Sequence, residues 1–343
     1  MTGIILTQYN GKIIGPIAKL LGYLMNAIFE FLNMIKIPNI GLSIIIFTIV
    51  IYLLLMPLTI KQQKFSKLSA KMNPELQAIQ KRYKDKKDNE SMMAMNAETK
   101  AVYAKYGVSP SGSCLQLLIQ MPILFALYRV IYNMPAYVTR IRDAFGVIAD
   151  SVIASGKVSE IQNLKAAAAY ARNFAIDERN AVIDVLYVMN NKDLAAYATG
   201  HEDVLEQISH FNNFLGINIA NSPSFMISDA WNAEGGPQIL LIIAALLIPL
   251  LSAFTQWLNV KLMPQQAQQD DKNVSDQQAS MQQSMKMMNN FMPIMSAVFC
   301  FTLPSGMGLY WIVGAVVRSI QQVLINKHID KMDIDEVIKK NEE

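Results

Sequence analysis

Long uninterrupted runs of apolar residues are the main feature of the chain. The run from Ile40 to Ile60 has no charged side chain over 21 positions, and at about 1.5 Å per residue it covers roughly 30 Å, the thickness of the hydrocarbon layer. Similar runs extend from Cys114 to Tyr132 and from Gly236 to Leu258. The last run, Phe291 to Leu324, is broken by the sequence LPSG, in which proline and glycine end a helix. The pattern predicts five transmembrane helices, the last two joined by a tight turn.

The first 36 residues show a different, amphipathic pattern. Apolar residues recur at steps of three or four, while Lys19 and Glu30 lie on the opposite helix face. This favours a helix that lies in the membrane interface. An uncleaved signal anchor that spans the membrane stays open as the alternative, because Ile13 to Leu32 is long enough to cross a bilayer.

Charges are sorted between the segments that connect the apolar runs. Residues 61–113 contain 11 Lys and Arg against five acidic residues, whereas residues 136–235 contain seven against 12. Because lysine-rich loops stay in the cytosol, the first segment is predicted to be cytosolic and the second to lie outside. Five helices then place the amino terminus outside and the carboxyl terminus in the cytosol.

The basic segment 61–113, called the hairpin below, is predicted to form two antiparallel helices. The first covers Lys61 to Lys84 and the second Ser91 to Tyr106, with a polar turn between them. Its basic surface is interpreted either as facing lipid headgroups or as contacting a ribosome or a substrate chain. The candidate contact residues of this surface are Lys61, Lys64, Lys67, Lys81 and Arg82.

The segment 136–235, called the insert below, is predicted to form a small helical cap. Helices are expected over Val158 to Ala175 and Glu178 to Met189. His201 and His210 have no cysteines or acidic cluster beside them, so they are interpreted as surface residues and not as metal ligands. The loop 261–290 is rich in glutamine and then methionine, which predicts a disordered linker that ends in an adaptable apolar helix.

Composition agrees with a membrane protein of several spans. The chain of 343 residues is 52% hydrophobic and only 17% charged, with a mean hydropathy of +0.23, which argues against a soluble enzyme. Cys114 and Cys300 lie in apolar runs and are predicted to be free thiols. No metalloprotease, hydrolase or nucleotide-binding motif occurs, so neither an enzyme nor a cofactor is predicted.

Ionisable residues inside the apolar runs are functional candidates because their burial in hydrocarbon is costly. Arg129 is expected near the outer membrane boundary, where its side chain reaches water. Arg318 follows Trp311 by seven residues, so both lie on one helix face, which is suited to line a wet cavity open to the cytosol. Pairing of Arg318 with anionic lipid is the alternative.

Three stretches of the chain resemble one known family. They are MPLTIKQ (Met56 to Gln62), KYGVSPSGSCLQLLIQMPILFALY (Lys105 to Tyr128) and LPSGMGLYWIVGAVVRSIQQ (Leu303 to Gln322). In order and spacing they resemble the YidC/Oxa/Alb membrane protein insertases, in particular the Gram-positive type. The resemblance implies five helices around a hydrophilic groove that is open to the cytosol and to lipid, with the hairpin over its mouth.

One departure from the family concerns the groove. The family generally carries an arginine five residues before the proline of the PLT motif, and Tyr52 occupies that position here. Arg318, or else Arg129, is the candidate for the replacement charge. The residues predicted to line the groove are Thr48, Tyr52, Gln120, Gln256, Trp311 and Arg318.

The resemblance also implies an activity and its partners. The expected function is insertion of short hydrophilic segments of nascent membrane proteins across the bacterial cytoplasmic membrane, alone or with the Sec translocon. Ribosomes and lipids are further expected partners, without direct nucleic-acid binding and without a cofactor. A small-solute transporter or channel and a membrane-anchored scaffold are the alternatives.

Together these patterns predict the organisation of the whole chain. It comprises an interfacial helix (1–36), a first transmembrane helix (37–60), the hairpin (61–113), a second transmembrane helix (114–135), the insert (136–235), a third transmembrane helix (236–260), a Gln/Met-rich loop (261–290), the fourth and fifth transmembrane helices (291–325) and a cytosolic tail (326–343).

Overall fold

The computed structural model describes most of the chain as helix. The described residues are 8, 9, 11–83, 86, 88–107, 112–189, 191–233, 235–262, 287 and 291–329. Two compact units divide the chain: one of Met1–Val50, Gln120–Ala253 and Ser296–Gly314, the other of Ile51–Ile119, Phe254–Met295 and Ala315–Glu343. The prediction of an all-α protein is confirmed for the described residues, where one short two-stranded sheet pairs Asn213–Phe214 (β1) with Ile217–Asn218 (β2).

The helices are numbered in chain order. They are α1 (Ile14–Met34), α2 (Ile40–Leu54), α3 (Met56–Tyr83), α4 (Asn89–Lys105), α5 (Gly112–Tyr132), α6 (Met134–Tyr137), α7 (Thr139–Ala154), α8 (Val158–Gln162), a 3₁₀ helix (Lys165–Tyr170), α9 (Ala171–Phe174), α10 (Glu178–Tyr187), α11 (Asn191–Tyr197), α12 (Glu202–Asn212), α13 (Pro223–Trp231), α14 (Ile239–Leu262), α15 (Phe291–Thr302) and α16 (Ser305–Ile329).

Among the described residues, two helices are long and apolar enough to cross a membrane, namely α14 and α16. A third candidate is the bent pair of α2 and the start of α3. The helices Met121–Tyr132, within α5, and α15 are apolar but shorter. The Gln/Met-rich loop 261–290 and the tail lie largely outside the described residues, and α16 extends to Ile329.

The first apolar run is not one straight helix. The segment 37–60 contains the end of α2 at Leu54, and Ile40–Leu54 meets Met56–Ser69 at an angle of 57°. Pro57 has no N–H to donate, and in a continuous helix its ring would clash with the carbonyl of Leu53. Proline is tolerated in the first turn of a helix, which is where α3 has it. The last residues of the run therefore begin the long helix of the hairpin.

The break at LPSG is present between α15 and α16, as the sequence predicts. The buried Ser305 donates its hydroxyl to the carbonyl of Asn221 at 2.7 Å, which fixes the start of α16 against the insert. Three residues further on, a side chain at Gly308 would clash with Ile248 of α14. Glycine at this position lets α16 and α14 approach closely, as small residues do in membrane helix pairs.

The insert is a helical domain of α6 to α13 with its own core. The predicted helix over Glu178 to Met189 is present as α10. The helix-compatible stretch Val158 to Ala175 is divided into three pieces, namely α8, a 3₁₀ helix and α9. The break lies at Leu164, whose backbone is extended at φ −68° and ψ 142°. The alanine-rich sequence favours helix but does not enforce a single one.

The amphipathic helix α1 packs against the insert. Glu30 accepts a hydrogen bond from Arg140 at 2.7 Å, and Asn26 accepts one from the Thr139 amide at 2.9 Å. The rings of Phe29 and Phe211 meet edge to face at 5.2 Å. One side of α1 is therefore held by protein, and whether its other side lies in the membrane interface stays a prediction.

The hairpin consists of α3 and α4, which pack antiparallel around a small apolar cluster. Met72 and Ile79 of α3 contact Val102 of α4 and Tyr106 just after it. Glu75 accepts hydrogen bonds from the Tyr106 hydroxyl at 2.7 Å and from Lys105 at 3.0 Å. The Tyr106 hydrogen bond, and then the lysine, hold the pKa of Glu75 below its ordinary value.

Truncating the centre of this cluster is expected to open the hairpin. Met72 is 2% exposed, so Met72→Ala should cost about 2 to 4 kcal/mol of hairpin stability through lost burial and the cavity left behind. Trypsin should then cut the hairpin of the full chain in detergent much faster. The matched control is Met93→Ala on α4, since Met93 is 74% exposed and its loss should change stability by less than about 0.5 kcal/mol. Similar digestion rates for both variants would contradict the assignment of Met72 to the hairpin core.

Candidate functional site

A polar cluster lies among the apolar helices α2, α14 and α16. The guanidinium of Arg318 donates a hydrogen bond to the hydroxyl of Tyr52 and a second, at 3.3 Å, to Oε1 of Gln256. The Arg318 Cζ atom also lies 5.2 Å from the centroid of the Tyr52 ring, within the range of a cation–π interaction. These three residues are called the Arg318 cluster below. Each comes from a different helix, so the fold brings together side chains that are far apart in sequence.

The three side chains of the Arg318 cluster differ in their exposure to solvent. Tyr52 is buried, whereas Gln256 and Arg318 are partly exposed. A tyrosine hydroxyl and a neutral amide can orient the guanidinium but cannot neutralise its charge. Among the described residues, no carboxylate lies within ion-pair distance of Arg318. Within the described part of the chain, Arg318 thus has hydrogen-bond partners but no ion-pair partner, and its side chain stays partly exposed.

Two consecutive glutamines of α16 hold the cluster in position. Gln321 donates its amide to the backbone carbonyl of Tyr52 at 2.9 Å, and Gln322 donates to the carbonyl of Leu262 at 2.8 Å. Both carbonyls lie at the carboxyl-terminal ends of helices, α2 and α14, where backbone acceptors lack partners within the helix. The glutamines thus satisfy helix ends and tie α16 to both neighbours.

A further buried pair joins α14 and α16. Asn259 donates to the Ser319 hydroxyl at 3.3 Å, and that hydroxyl donates to the carbonyl of Ala315 at 2.8 Å. Both side chains are buried. Hydrogen bonds of this kind fix the register of helices in a bilayer, where a polar side chain without a partner is costly.

The other predicted groove residues lie in different surroundings. Thr48 is buried, and its hydroxyl donates to the Ile44 carbonyl of its own helix at 2.6 Å. The Trp311 ring packs against Phe299 with 6.1 Å between centroids. Gln120 belongs to α5, but its side chain lies outside the described residues. The role of all six residues as a substrate groove stays a prediction.

Arg129 lies beside a different aromatic ring. Its Cζ atom lies 4.5 Å from the ring centroid of Tyr9. Arg129 is exposed, which agrees with a side chain that reaches water. Of the two arginines considered as the replacement charge, Arg318 is the one that the structure places directly beside Tyr52.

Part of the positive charge on the predicted contact surface of the hairpin is neutralised by an acidic residue of the hairpin itself. Lys61, Lys81 and Arg82 are exposed, whereas Lys64 and Lys67 are partly buried. Arg82 pairs with Glu98 of α4 at 2.9 Å, so part of its charge is neutralised within the hairpin. An exposed ion pair of this type contributes little to stability.

Sequence reasoning missed Gln321 and Gln322, although the resembling stretch contains them. Two neighbouring amides within an apolar run are themselves a signal, because hydrocarbon requires each amide to find a partner. Which partner each one takes depends on where two other helices end. That information is not present in the local sequence.

Comparison with known proteins gives one family and a set of insertase relatives. The model of the family described as 60Kd inner membrane protein matches residues 31–332. The membrane protein insertase YidC of Fusobacterium nucleatum is 38% identical over 117 residues, which are 32% of this chain and 55% of that protein. YidC of Oceanobacillus iheyensis is 45% identical over 95 residues, 28% of this chain and 37% of the relative.

A further relative is the membrane protein insertase MisCA of Bacillus subtilis, which is 43% identical over 98 residues, 29% of this chain and 37% of that protein. The matched part of this chain thus spans between about a third and about a half of the length of these relatives. The family model, in contrast, extends over most of the chain and includes every residue of the Arg318 cluster. The apolar helices agree with a protein of the bacterial cytoplasmic membrane. The chain belongs to the 60Kd inner membrane protein family, the YidC/Oxa/Alb family that the sequence resembles.

Proposed function

We propose that this chain is a membrane protein insertase. It moves short hydrophilic segments of nascent membrane proteins into and across the bacterial cytoplasmic membrane and releases their hydrophobic segments into lipid. The single observation that carries the proposal is the Arg318 cluster, in which a partly exposed cation is held among apolar helices by Tyr52 and Gln256. Family membership supports the same activity.

The proposed mechanism lowers the cost of moving polar groups through hydrocarbon. A peptide group that enters an apolar layer without a hydrogen-bond partner loses several kcal/mol of solvation free energy, roughly 2 to 7 by common reference states. A wet groove lined by the Arg318 cluster offers water and hydrogen-bonding groups partway across the layer. Acidic residues of the substrate are stabilised most in this groove, because the guanidinium carries a permanent charge and can bind a carboxylate through two parallel hydrogen bonds.

The apolar surfaces of α14 and α15 provide the path for the hydrophobic segment. Large side chains on both helices are exposed, among them Leu240 at 83% and Ile294 at 61%. A substrate helix can slide along such a surface into lipid, where partition of its apolar side chains supplies the free energy of insertion. This driving force requires neither a nucleotide nor another cofactor.

The finer architecture is part of the proposal. Five transmembrane helices surround the groove, with α5 and α15 as short or kinked spans and the pair of α2 and α3 as the bent one. The hairpin faces the cytosol and the insert faces outward, following the distribution of basic residues. The proposed partners are nascent membrane proteins, lipids, the ribosome and the Sec translocon.

The test is reconstitution of the purified chain into liposomes without nucleotide. A small single-span protein with a short amino-terminal tail is released at the liposome surface, and protease protection of its tail reports insertion. We expect protection well above that in empty liposomes and in liposomes with an unrelated membrane protein of similar size. Equal protection in all three would refute the insertase. Leakage of a trapped ion without protection of the tail would instead indicate a channel.

A further inference from the structure

The insert contains a polar cavity that the Arg318 cluster does not involve. Its volume is about 710 Å³, and it lies between α12, the β1–β2 turn, α13 and the start of α14. Cavities that bind small ligands or peptide segments have volumes of about 300 to 1,000 Å³. The size of this cavity is therefore that of a binding site.

One wall of the cavity consists mainly of side-chain amides. The Oδ1 atoms of Asn213 and Asn218 and the Nδ2 atom of Asn232 form hydrogen bonds within the insert. The other amide groups of the lining supply the donors and acceptors that peptide groups require. The two charged lining residues, Lys192 and Asp229, have opposite signs, so the wall favours a ligand without strong net charge. The amide residues of the wall are Asn212, Asn213, Asn218, Asn221, Asn232 and Gln238.

Asn212 supplies a second, independent observation. Its side chain is only 3% exposed, and its Oδ1 atom has no hydrogen-bond partner among the described residues. A buried acceptor without a partner costs about 1 to 3 kcal/mol, so native proteins rarely keep one without a use. Asn212 is one of the lining residues, so its unpaired acceptor lies in the layer of side chains that encloses the cavity.

The cavity also has an apolar part, which is lined by Phe225, Met226 and Leu241. These side chains form an apolar surface beside the amides, and methionine adapts to contacts of different shape. Amides for peptide groups and an adaptable apolar surface for side chains together suit a polypeptide of variable sequence. A phosphate or sulfate ligand would need a cluster of cations, and Lys192 is the one lysine or arginine among the lining residues that the structure describes.

We infer that this cavity binds a short polar segment of polypeptide, namely the tail of a substrate after it has crossed the membrane. The inference rests on the proposed function, which puts the insert on the outer side. Holding the tail there opposes its return through the groove. The insert thereby adds a receiving site to the insertion reaction.

Photo-crosslinking during insertion tests this site directly. A photoreactive phenylalanine analogue replaces Ser228, an exposed lining residue, and the control position is Val147, which is exposed on α7 and does not line the cavity. We expect severalfold more adducts to the substrate tail from position 228 than from position 147. Normal protection of the tail with equal or absent adducts would overturn this inference and leave the insertase proposal intact.

A direct binding measurement tests the cavity independently of insertion. The probe is a short fluorescent peptide of alanine, serine and leucine, and fluorescence anisotropy reports its binding to the purified full chain in detergent. Ser228→Trp fills the cavity and is expected to weaken binding at least about tenfold, whereas Val147→Trp should leave it unchanged. Unchanged binding to Ser228→Trp, or displacement of the peptide by maltopentaose, would overturn the inference, the latter in favour of a glycan site.

Discussion

Replacing Arg318 by alanine is expected to slow the insertion of substrates with acidic tails about tenfold, and of neutral tails by about twofold or less. The reason is electrostatic. The Coulomb attraction between a carboxylate and a guanidinium about 4 Å apart is roughly 4 kcal/mol at an effective dielectric constant of about 20, which is typical near a protein surface. Partial exposure of Arg318 reduces this gain, and a loss of about 1.4 kcal/mol in the transition state already gives a tenfold slower rate. Protease protection of paired substrates that differ only in tail charge measures the effect.

Two variants on α16 control this experiment. Lys327→Ala removes a cation from the exposed end of the same helix and should affect both tails equally and weakly. Arg318→Lys keeps a positive charge without the planar donor fork, so it should restore part of the preference for acidic tails. Equal loss for acidic and neutral tails in Arg318→Ala would mean that Arg318 only holds helices together.

Asp184→Asn is expected to stabilise the insert by about 2 to 4 kcal/mol at pH 8 and by nearly nothing at pH 4. Asp184 of α10 is only 2% exposed, and this burial raises the pKa of its carboxyl to about 7 from an ordinary value of 3.8. A side-chain hydrogen bond with Asn173 opposes the rise, and the nearby charge of Asp177 adds to it. The folded insert therefore prefers the neutral acid.

The sign of the pH dependence follows from proton binding. Between pH 3.8 and about 7, the folded insert keeps the Asp184 proton while the unfolded chain has lost it. Stability contributed by this group is thus complete below pH 3.8 and falls as the pH rises through about 7. Asparagine has the shape of the neutral acid and cannot ionise, so its variant should lack this decrease. The measurement is the thermal unfolding temperature of the insert in detergent, detected by the onset of proteolytic cleavage within the insert. It is made for the wild-type protein and for Asp184→Asn between pH 4 and pH 8.

Asp150→Asn is the matched control because it should behave in the opposite way. The Arg179 hydrogen bond and ion pair hold the pKa of Asp150 below its ordinary value. Its stabilisation is present at neutral pH and is lost on acidification, and for so exposed a pair it amounts to less than about 1 kcal/mol. A wild-type insert whose stability does not fall between pH 4 and pH 8 would contradict the burial of an uncompensated Asp184.

The helical elements were largely predictable because their signals are local. The apolar runs, the LPSG break and the polar turn of the hairpin each specify structure within a few residues, and the helices α14, α16, α3 and α4 follow them. Two local details were not predicted: Pro57 lies in the first turn of α3 after a bend, and Leu164 interrupts the alanine-rich stretch although leucine is a good helix former.

The candidate site was predictable only in part, for a physical reason. A tyrosine, a glutamine and an arginine inside apolar runs are conspicuous, and the structure brings Tyr52, Gln256 and Arg318 together. The amides of Gln321 and Gln322 serve the ends of two other helices, and such pairing depends on packing over long sequence distances. A sequence pattern shows that a polar side chain in an apolar run needs a hydrogen-bond partner. It does not show which residue becomes that partner.

The 57° bend between α2 and α3 makes the long first helix of the hairpin a lever arm whose base lies close to Tyr52. Tyr52 lies one turn before the bend, and α3 continues from it for 28 residues, about 42 Å, stiffened by its packing on α4. A rotation of only about 6° at the base of such a lever moves its far tip by roughly 4 Å. Any change in the angle of this bend that accompanies the binding of a carboxylate to Arg318 would therefore be amplified at the far end of the hairpin.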